Sequence, residues 1–182
     1  QWGFLGHGRR QGVPQRVEGF AAQGIRAVAV HCGSEHTAIV SDEGQLFTWG
    51  DARGGRLGWG VSEAEYHALP QLVSGKWKSL KQVSCGGTHT LAVSEDGHVW
   101  GWGDNRYAQL GPVATAEWPT PASLTDIPAE FCGALHGQRA VSVHAGTTVS
   151  LVVTDKGQVV VWGTSPDGQL GIHGTTFQKI PA

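Results

Sequence analysis

The sequence predicts an all-β fold, a partial β-propeller of about three and a half four-stranded blades. A unit of constant internal length occurs three times, each copy contains short apolar runs joined by Gly-containing turns, and no segment has a long helical period. A blade cannot bury both faces alone, so it is stable only against its neighbours. Closed propellers have roughly four to eight blades. We therefore expect residues 1–182 to be a single fragment whose ring is completed by the rest of a longer chain or by a second chain.

Glycine and leucine positions align the three copies. The repeat cores are residues 30–58, 83–111 and 143–171. The first core glycine and the last core leucine are 24 residues apart in every copy, at Gly33–Leu57, Gly86–Leu110 and Gly146–Leu170. The opening string GFLGHG matches GRLGWG at 55–60, so residues 1–8 are predicted to be the stub of an earlier repeat. All length variation therefore falls between the cores.

Each core predicts three strands in the same order. The lead-in strands are Ala27 to His31, Lys81 to Cys85 and Ala140 to His144. The second strands are Thr37 to Val40, Leu91 to Ser94 and Ser150 to Thr154, and the third are Leu46 to Trp49, Val99 to Trp102 and Val159 to Trp162. An Asp/Glu-x-Gly turn joins the second strand to the third, and its glycine supplies the positive φ that a tight hairpin needs.

The amino-acid composition limits the classes of function that we expect for this chain. The formal net charge is −2 and only 15% of residues are charged, so this segment lacks the basic excess of a nucleic-acid binder. Three cysteines are a poor disulfide framework and favour an intracellular location, cytoplasm or nucleus. No apolar run reaches 18 residues, so no membrane span is expected. The absence of methionine indicates a fragment of a longer protein.

The aligned strings resemble a known repeat family. CGSEHT, GQLFTWG, CGGTHT, GHVWGWGDNRYAQLG and GQVVVWGTSPDGQLG are similar to the repeats of the regulator of chromosome condensation family, over nearly the whole chain. The resemblance implies a seven-bladed propeller in the complete protein. Family members include a nucleotide exchange factor for a small nuclear GTPase, a plant ultraviolet-B photoreceptor and modules attached to ubiquitin ligases. The photoreceptor has a Gly-Trp-Arg-His-Thr motif. In this chain the positions that match its Trp-Arg pair are occupied by Ser34-Glu35, Gly87-Thr88 and Thr147-Thr148, so the tryptophan and the arginine are both missing.

Six residues are candidates for contact with a partner protein: Glu35, His36, Thr88, His89, Trp77 and Trp118. The first four match the family's Gly-x-x-His-Thr motif, whose loops, by resemblance, face the GTPase in the exchange factor. The two histidines have a structural alternative, which we favour, as anchors that hydrogen-bond nearby backbone within a blade. Trp77 and Trp118 do not repeat between copies, and a non-repeating aromatic near a loop is a candidate hot spot. Trp118 also lies in the longest connector, Leu110 to Val143.

Metal binding and catalysis have little support in the sequence. Cys32-x3-His36 and Cys85-x3-His89 could be metal ligands, but the third copy has Ala145 and Val149 at those positions. The chain has no Gly-x-Ser-x-Gly elbow, P-loop or His-Glu-x-x-His motif. We therefore expect no metal, no cofactor and no enzyme, but a protein-protein interaction scaffold that binds through rim loops. The alternative is a guanine nucleotide exchange factor for a small GTPase.

Overall fold

Antiparallel strands make up nearly all of the regular structure in this computed structural model, which describes residues 12–112, 115–126, 134–164, 168, 170–171 and 177–178. The first sheet contains β1 (Ala27–Cys32), β2 (His36–Ser41), β3 (Leu46–Asp51) and β4 (Tyr66–Val73). The second contains β5 (Leu80–Cys85), β6 (His89–Ser94), β7 (Val99–Asp104) and β8 (Glu117–Ser123). The third contains β9 (Ala140–Ala145), β10 (Val149–Thr154), β11 (Val159–Thr164) and β12 (Phe177–Gln178). A five-residue helix, α1 (Glu18–Ala22), precedes β1.

The prediction of an all-β partial propeller is confirmed. All nine strands predicted in the cores are present, with ends that differ by at most two residues. The outer strands β4 and β8 lie in the connectors and contain Pro70, Pro119 and Pro121, which an edge strand tolerates because its outer N–H groups are not needed in the ladder. The predicted stub, residues 1–8, lies outside the described residues. No helix among the described residues is long and apolar enough to cross a membrane.

The turns between second and third strands have the predicted conformation. Gly44, Gly97 and Gly157 have φ of 71°, 86° and 74°. Space also requires glycine at the first of these, because a Cβ at Gly44 would lie 2.1 Å from Oγ of Ser79. The repeated glycine therefore closes each hairpin, and at Gly44 it also leaves room for the connector that leads into the second sheet.

The first strands of the three sheets lie side by side. The backbone N–H of Cys85 on β5 donates to Nδ1 of His31 on β1 at 3.1 Å. The backbone N–H of Ala145 on β9 donates to Oγ of Ser84 on β5 at 2.9 Å. Because β1, β5 and β9 are neighbours at one side, the sheets fan outward from them, as the blades of a propeller do.

Apolar cores fill the spaces between successive sheets. We call the interface between the first and second sheets seam 1, and that between the second and third sheets seam 2. Seam 1 buries Ala38, Val40, Leu46, Val73, Leu80, Val83, Cys85, Ala92, Trp100 and Trp102. Seam 2 buries Leu91, Val93, Val99, Leu110, Leu124, Leu135, Ala140, Val143, Val152, Val160 and Trp162. The outer faces of the end sheets still expose apolar side chains, Val30 at 65% and Val159 at 60%, as expected for part of a ring.

Backbone contacts reinforce both seams at the turn before the second strand. The N–H of Ser34 donates to the carbonyl of Gly86 at 3.3 Å, and the N–H of Gly87 donates to the carbonyl of Gly146 at 3.2 Å. A Cβ at Gly33 would lie 2.4 Å from the Gly86 oxygen, and a Cβ at Gly86 would lie 2.4 Å from the Gly146 oxygen. The repeated glycine is therefore required by the close approach of neighbouring sheets.

Candidate functional site

One end of the sheets collects the turns before each second strand and the connections after each third strand. In the first sheet these are residues 33–35 and 52–65, and in the second the described ones are 86–88, 105–112 and 115–116. Backbone bonds join turn and connection: Asp51 N–H donates to the Glu35 carbonyl at 2.8 Å, and Asp104 N–H donates to the Thr88 carbonyl at 3.0 Å. We call this end the loop rim, and the opposite end, with the hairpins around Gly44, Gly97 and Gly157, the hairpin rim.

The two candidate histidines lie inside the seams. His36 is 1% exposed and His89 is 0% exposed. Nε2 of His36 lies 2.8 Å from Oγ1 of Thr90 across seam 1, and Nε2 of His89 lies 2.9 Å from Oγ of Ser150 across seam 2. This burial agrees with the favoured role as anchors and leaves neither candidate side chain accessible to a partner. They are anchors, and they bind a hydroxyl of the next sheet rather than nearby backbone.

Each histidine belongs to a hydrogen-bond network that repeats in both seams. In seam 1, the Thr90 hydroxyl and the Trp102 indole N–H both donate to the backbone carbonyl of Arg56, at 2.8 and 3.0 Å. In seam 2, Ser150 and Trp162 donate to the carbonyl of Gln109 at 2.6 and 2.9 Å. A hydroxyl has only one proton, and here it is used in the hydrogen bond to the carbonyl. The imidazole Nε2–H must therefore be the donor to the hydroxyl oxygen. Both histidines therefore carry a proton on Nε2.

The environment of the imidazoles agrees with this assignment. Burial, aided by the positive charge of Arg56, lowers the pKa of His36 to about 3, and burial lowers the pKa of His89 to about 4. Among the residues that the structure describes, Nδ1 of each ring is buried without a hydrogen-bond partner. A second proton would therefore place an unsolvated charge in the seam. The third sheet has Val149 at the matching position, buried and without a titratable group.

Glu35 and Thr88 lie on the loop rim, where each binds a residue of the following connection. The Glu35 carboxylate accepts from Nη1 of the buried Arg56 at 3.1 Å and from Nη2 of Arg53 at 3.4 Å. At the matching positions of the second sheet, Nε2 of the buried Gln109 lies 3.4 Å from Oγ1 of Thr88. The change from Glu to Thr between copies therefore accompanies a change from Arg to Gln, and an ion pair is replaced by a neutral pair.

A carboxylate organises each connection. Oδ1 of Asp51 accepts the backbone N–H of Arg53 at 2.8 Å, and Oδ1 of Asp104 accepts that of Arg106 at 2.8 Å. Burial alone would raise the pKa of Asp51, but the side-chain and backbone hydrogen bonds from Arg53 hold that pKa below its ordinary value. The Arg53 guanidinium also lies 5.3 Å from the ring centre of Tyr66. The arginines are thus presented on the rim in fixed orientations.

The two candidate tryptophans lie at opposite ends of the sheets. Trp77 precedes β5 at the hairpin rim, half-buried, with its ring 5.6 Å from Trp100 and 6.4 Å from Trp102. Trp118 is the second residue of β8, near the loop rim, and packs partly buried against seam 2. The six candidates therefore do not form one surface, since only Glu35, Thr88 and Trp118 are near the loop rim and accessible.

Sequence reasoning missed the connection 52–65 and its arginines. Arg53 and Arg106 share an Asp-x-Arg pattern, visible in GDARG and GDNRY, and this recurrence was the available signal. The prediction instead emphasised the longest connector, Leu110 to Val143. Within the described ranges, no group of three His, Cys, Asp or Glu side chains is arranged to hold a metal ion.

Comparison with known proteins identifies the repeat. A family model described as the Regulator of chromosome condensation (RCC1) repeat matches residues 1–40, 43–93 and 96–153, most of the chain, and a second RCC1 repeat model matches 27–55 and 80–109. The chain belongs to the RCC1 repeat family. The RCC1 repeat at 43–93 contains β3, β4, β5 and β6, so one repeat contributes two strands to each of two neighbouring sheets.

Relatives in the RCC1 family are longer than this chain. It is 39% identical over 181 residues to the E3 ubiquitin-protein ligase HERC2 of Homo sapiens, a match that covers 95% of this chain and 4% of HERC2. It is 33% identical over 184 residues to the Ultraviolet-B receptor UVR8 of Arabidopsis thaliana, covering all of this chain and 39% of UVR8. The crystal structure of Prp20p from Saccharomyces cerevisiae matches with a TM-score of 0.73 at 18% identity, covering 93% of this chain and 42% of Prp20p. The chain thus spans less than half the length of each of these relatives.

Proposed function

We propose that these RCC1 repeats are a non-catalytic module that binds another protein through the loop rim. The proposal depends on one observation: Arg56 and Gln109 each connect the core to the loop rim. Each sends its backbone carbonyl into a seam, where two donors hold it, and its side chain to the rim. The rim loops are therefore anchored to the propeller core at both matching points.

Anchored loops suit recognition of a protein surface. Ordering loops on binding costs free energy, and a loop held beforehand avoids much of that cost. The loop rim also varies between copies, with Glu35 and Arg56 in one sheet and Thr88 and Gln109 in the next. A constant frame with variable loops can provide specificity without changing the core.

The relatives agree with a binding role but do not specify a partner. The Prp20p structure is described by its binding to Gsp1p and histones, and at 18% identity its likeness supports the fold alone. HERC2 is named as a ubiquitin ligase, but the match covers only 4% of its length. We place the module inside the cell, in cytoplasm or nucleus, where free thiols such as Cys32 and Cys85 persist.

Nucleotide exchange on a small GTPase is the alternative, and the geometry favours it less. Exchange would depend on the four residues that match the family's motif, and two of these, His36 and His89, are buried in the seams. Glu35 and Thr88 are the two that a GTPase could contact. Binding without exchange needs neither histidine at the surface.

Affinity capture from lysate tests the proposal. The chain carrying Ser34→Lys, Tyr107→Ala and Thr147→Lys alters three exposed loop-rim positions. A matched set on the hairpin rim, Glu43→Lys, Glu95→Ala and Asp155→Lys, is the control. We expect the loop-rim set to lose a specific protein that the wild type and the control set capture. Equal capture by all three chains would refute binding through this rim.

The same capture separates scaffold from exchange factor. An exchange factor holds its GTPase most tightly without nucleotide, so EDTA should increase recovery of a GTPase and added GTP should release it. Equal recovery with and without EDTA is expected for a scaffold and would count against exchange.

A further inference from the structure

The connection 52–65 forms a small cavity with β8 of the neighbouring sheet. The cavity has a volume of about 180 Å³ and is lined on one side by the connection, including Arg53, Val61 and Glu65, and on the other by Glu117 and Pro119. We call it the rim pocket. It lies between the first and second sheets, both of which are described, so it is not a by-product of the open faces at the two ends.

The connection that forms the rim pocket is held at several points. The N–H of Gly60 donates to the Pro119 carbonyl at 2.9 Å, and the N–H of Ala52 donates to the Glu65 carbonyl at 2.7 Å. Ser62 Oγ donates to the Ala64 carbonyl at 3.0 Å. The pocket is therefore preformed.

An apolar side chain projects from this fixed connection. Val61 is 95% exposed, although both its neighbours make the hydrogen bonds just described. Val30 and Val159 lie on sheet faces that a further blade would cover, but Val61 lies on the rim between two complete neighbours. Its exposure is therefore a property of the rim surface, available to a partner.

The charges around the rim pocket are unbalanced. Arg53 is paired with Asp51 and Glu35, and Arg56 is paired with the same two carboxylates, so these four charges cancel. Glu65 and Glu117 are exposed, and neither has an ion-pair partner within 4.0 Å in the described part of the chain. Arg106, whose pKa is raised chiefly by Asp104 and also by Glu117, is itself paired with Asp104. The pocket thus combines an exposed apolar side chain with two exposed carboxylates from different sheets that make no close ion pair among the described residues.

We propose that the rim pocket receives a lysine or arginine side chain from a basic segment of the partner protein. The aliphatic stem of such a residue packs on Val61 while its charged end is attracted to Glu65 and Glu117. An acidic segment would be repelled by the same carboxylates. This inference rests on the proposed function, since it assigns the chemistry of the partner at the loop rim.

Peptide titration tests the assignment directly. The probe is a 12-residue peptide of alternating Lys and Ala, added to the ¹⁵N-labelled chain at low salt, with the Glu-for-Lys peptide as its counterpart. We expect the basic peptide to shift the amides of residues 60–65, 117 and 118 and the acidic peptide to leave them unchanged. Shifts spread equally over the carboxylates of the hairpin rim would overturn the proposal.

Variants of the pocket extend the test to the captured partner. Exposed ion pairs are individually weak, so Glu65→Gln with Glu117→Gln should weaken peptide and partner binding about tenfold. Val61→Ser should weaken it less, and Glu43→Gln with Glu95→Gln on the hairpin rim should leave Kd unchanged. Unchanged thermal unfolding shows that each variant is folded. If the loop-rim set abolishes capture while the pocket variants bind like wild type, the proposed function stands and this inference fails.

Discussion

Replacement of His89 by valine tests the seam network. Valine is the residue that the third sheet itself uses at this position, as Val149, so the backbone and the packing space can accept it. The variant removes the hydrogen bond from Nε2 to Ser150, and it also removes the buried Nδ1 that has no partner. At pH 7.5 the loss of one hydrogen bond should lower the free energy of unfolding by about 1 kcal/mol.

Acid should reverse the order of stability. The pKa of His89 is lowered to about 4 in the folded chain, from 6.5. Between these values the unfolded chain binds more protons, so the stability present above pH 6.5 is lost as pH falls toward 4. At pH 5 this linkage costs the wild type about 2 kcal/mol, from roughly 1.4 kcal/mol per pH unit. The valine variant lacks this term and should be more stable than wild type by about 1 kcal/mol.

Urea unfolding followed by tryptophan fluorescence at pH 5, 6, 7 and 8 measures the effect. His136→Val serves as the control, since His136 is exposed and removing it should leave the pH dependence unchanged. If His89→Val and wild type lose stability in parallel on acidification, the imidazole is not the buried neutral donor that we describe, and the argument is refuted.

Two further predictions concern the seam and the loop rim. Gly86→Ala should destabilise the chain by roughly 2 kcal/mol, because the new Cβ would lie 2.4 Å from the Gly146 carbonyl; an unchanged Tm would show that the sheets can move apart freely. Glu35→Thr and Arg56→Gln should each destabilise by about 1 kcal/mol, because each leaves one excess charge in the four-charge cluster of Glu35, Asp51, Arg53 and Arg56. The double variant, which recreates the pair of the second sheet and restores the charge balance, should recover most of the loss. A double-mutant cycle measured in urea gives the coupling, and additive losses would contradict it.

Strand positions were readable because the turns have strict chemical requirements. The hairpin glycines need positive φ, and Gly33 and Gly86 have no room for a side chain, so their spacing marks where strands begin and end. The outer strands were harder to place. As edge strands they pair on one side only, and β8 contains two prolines, so their sequences carry little strand signal.

The direction of each side chain was not readable, and for this reason His36 and His89 stayed among the candidates for partner contact although the anchor role was favoured. In β2, β3, β6 and β7 every residue is buried, because both faces of an inner propeller strand are covered by neighbouring sheets or loops. The alternation of buried and exposed residues that would distinguish an inward histidine from an outward one is therefore absent.

By itself, the sequence determined the repeat, the all-β class and the position of each core strand, because the hairpin glycines act locally and recur at a constant spacing along the chain. Only the tertiary structure decided which polar residues join two sheets and which reach the rim. Thr90 accepts a hydrogen bond from His36 and donates one to the backbone carbonyl of Arg56. These three residues are far apart in the sequence and meet only when the sheets stack. Likewise, the rim pocket exists only because residues 52–65 of one sheet lie against β8 of the next.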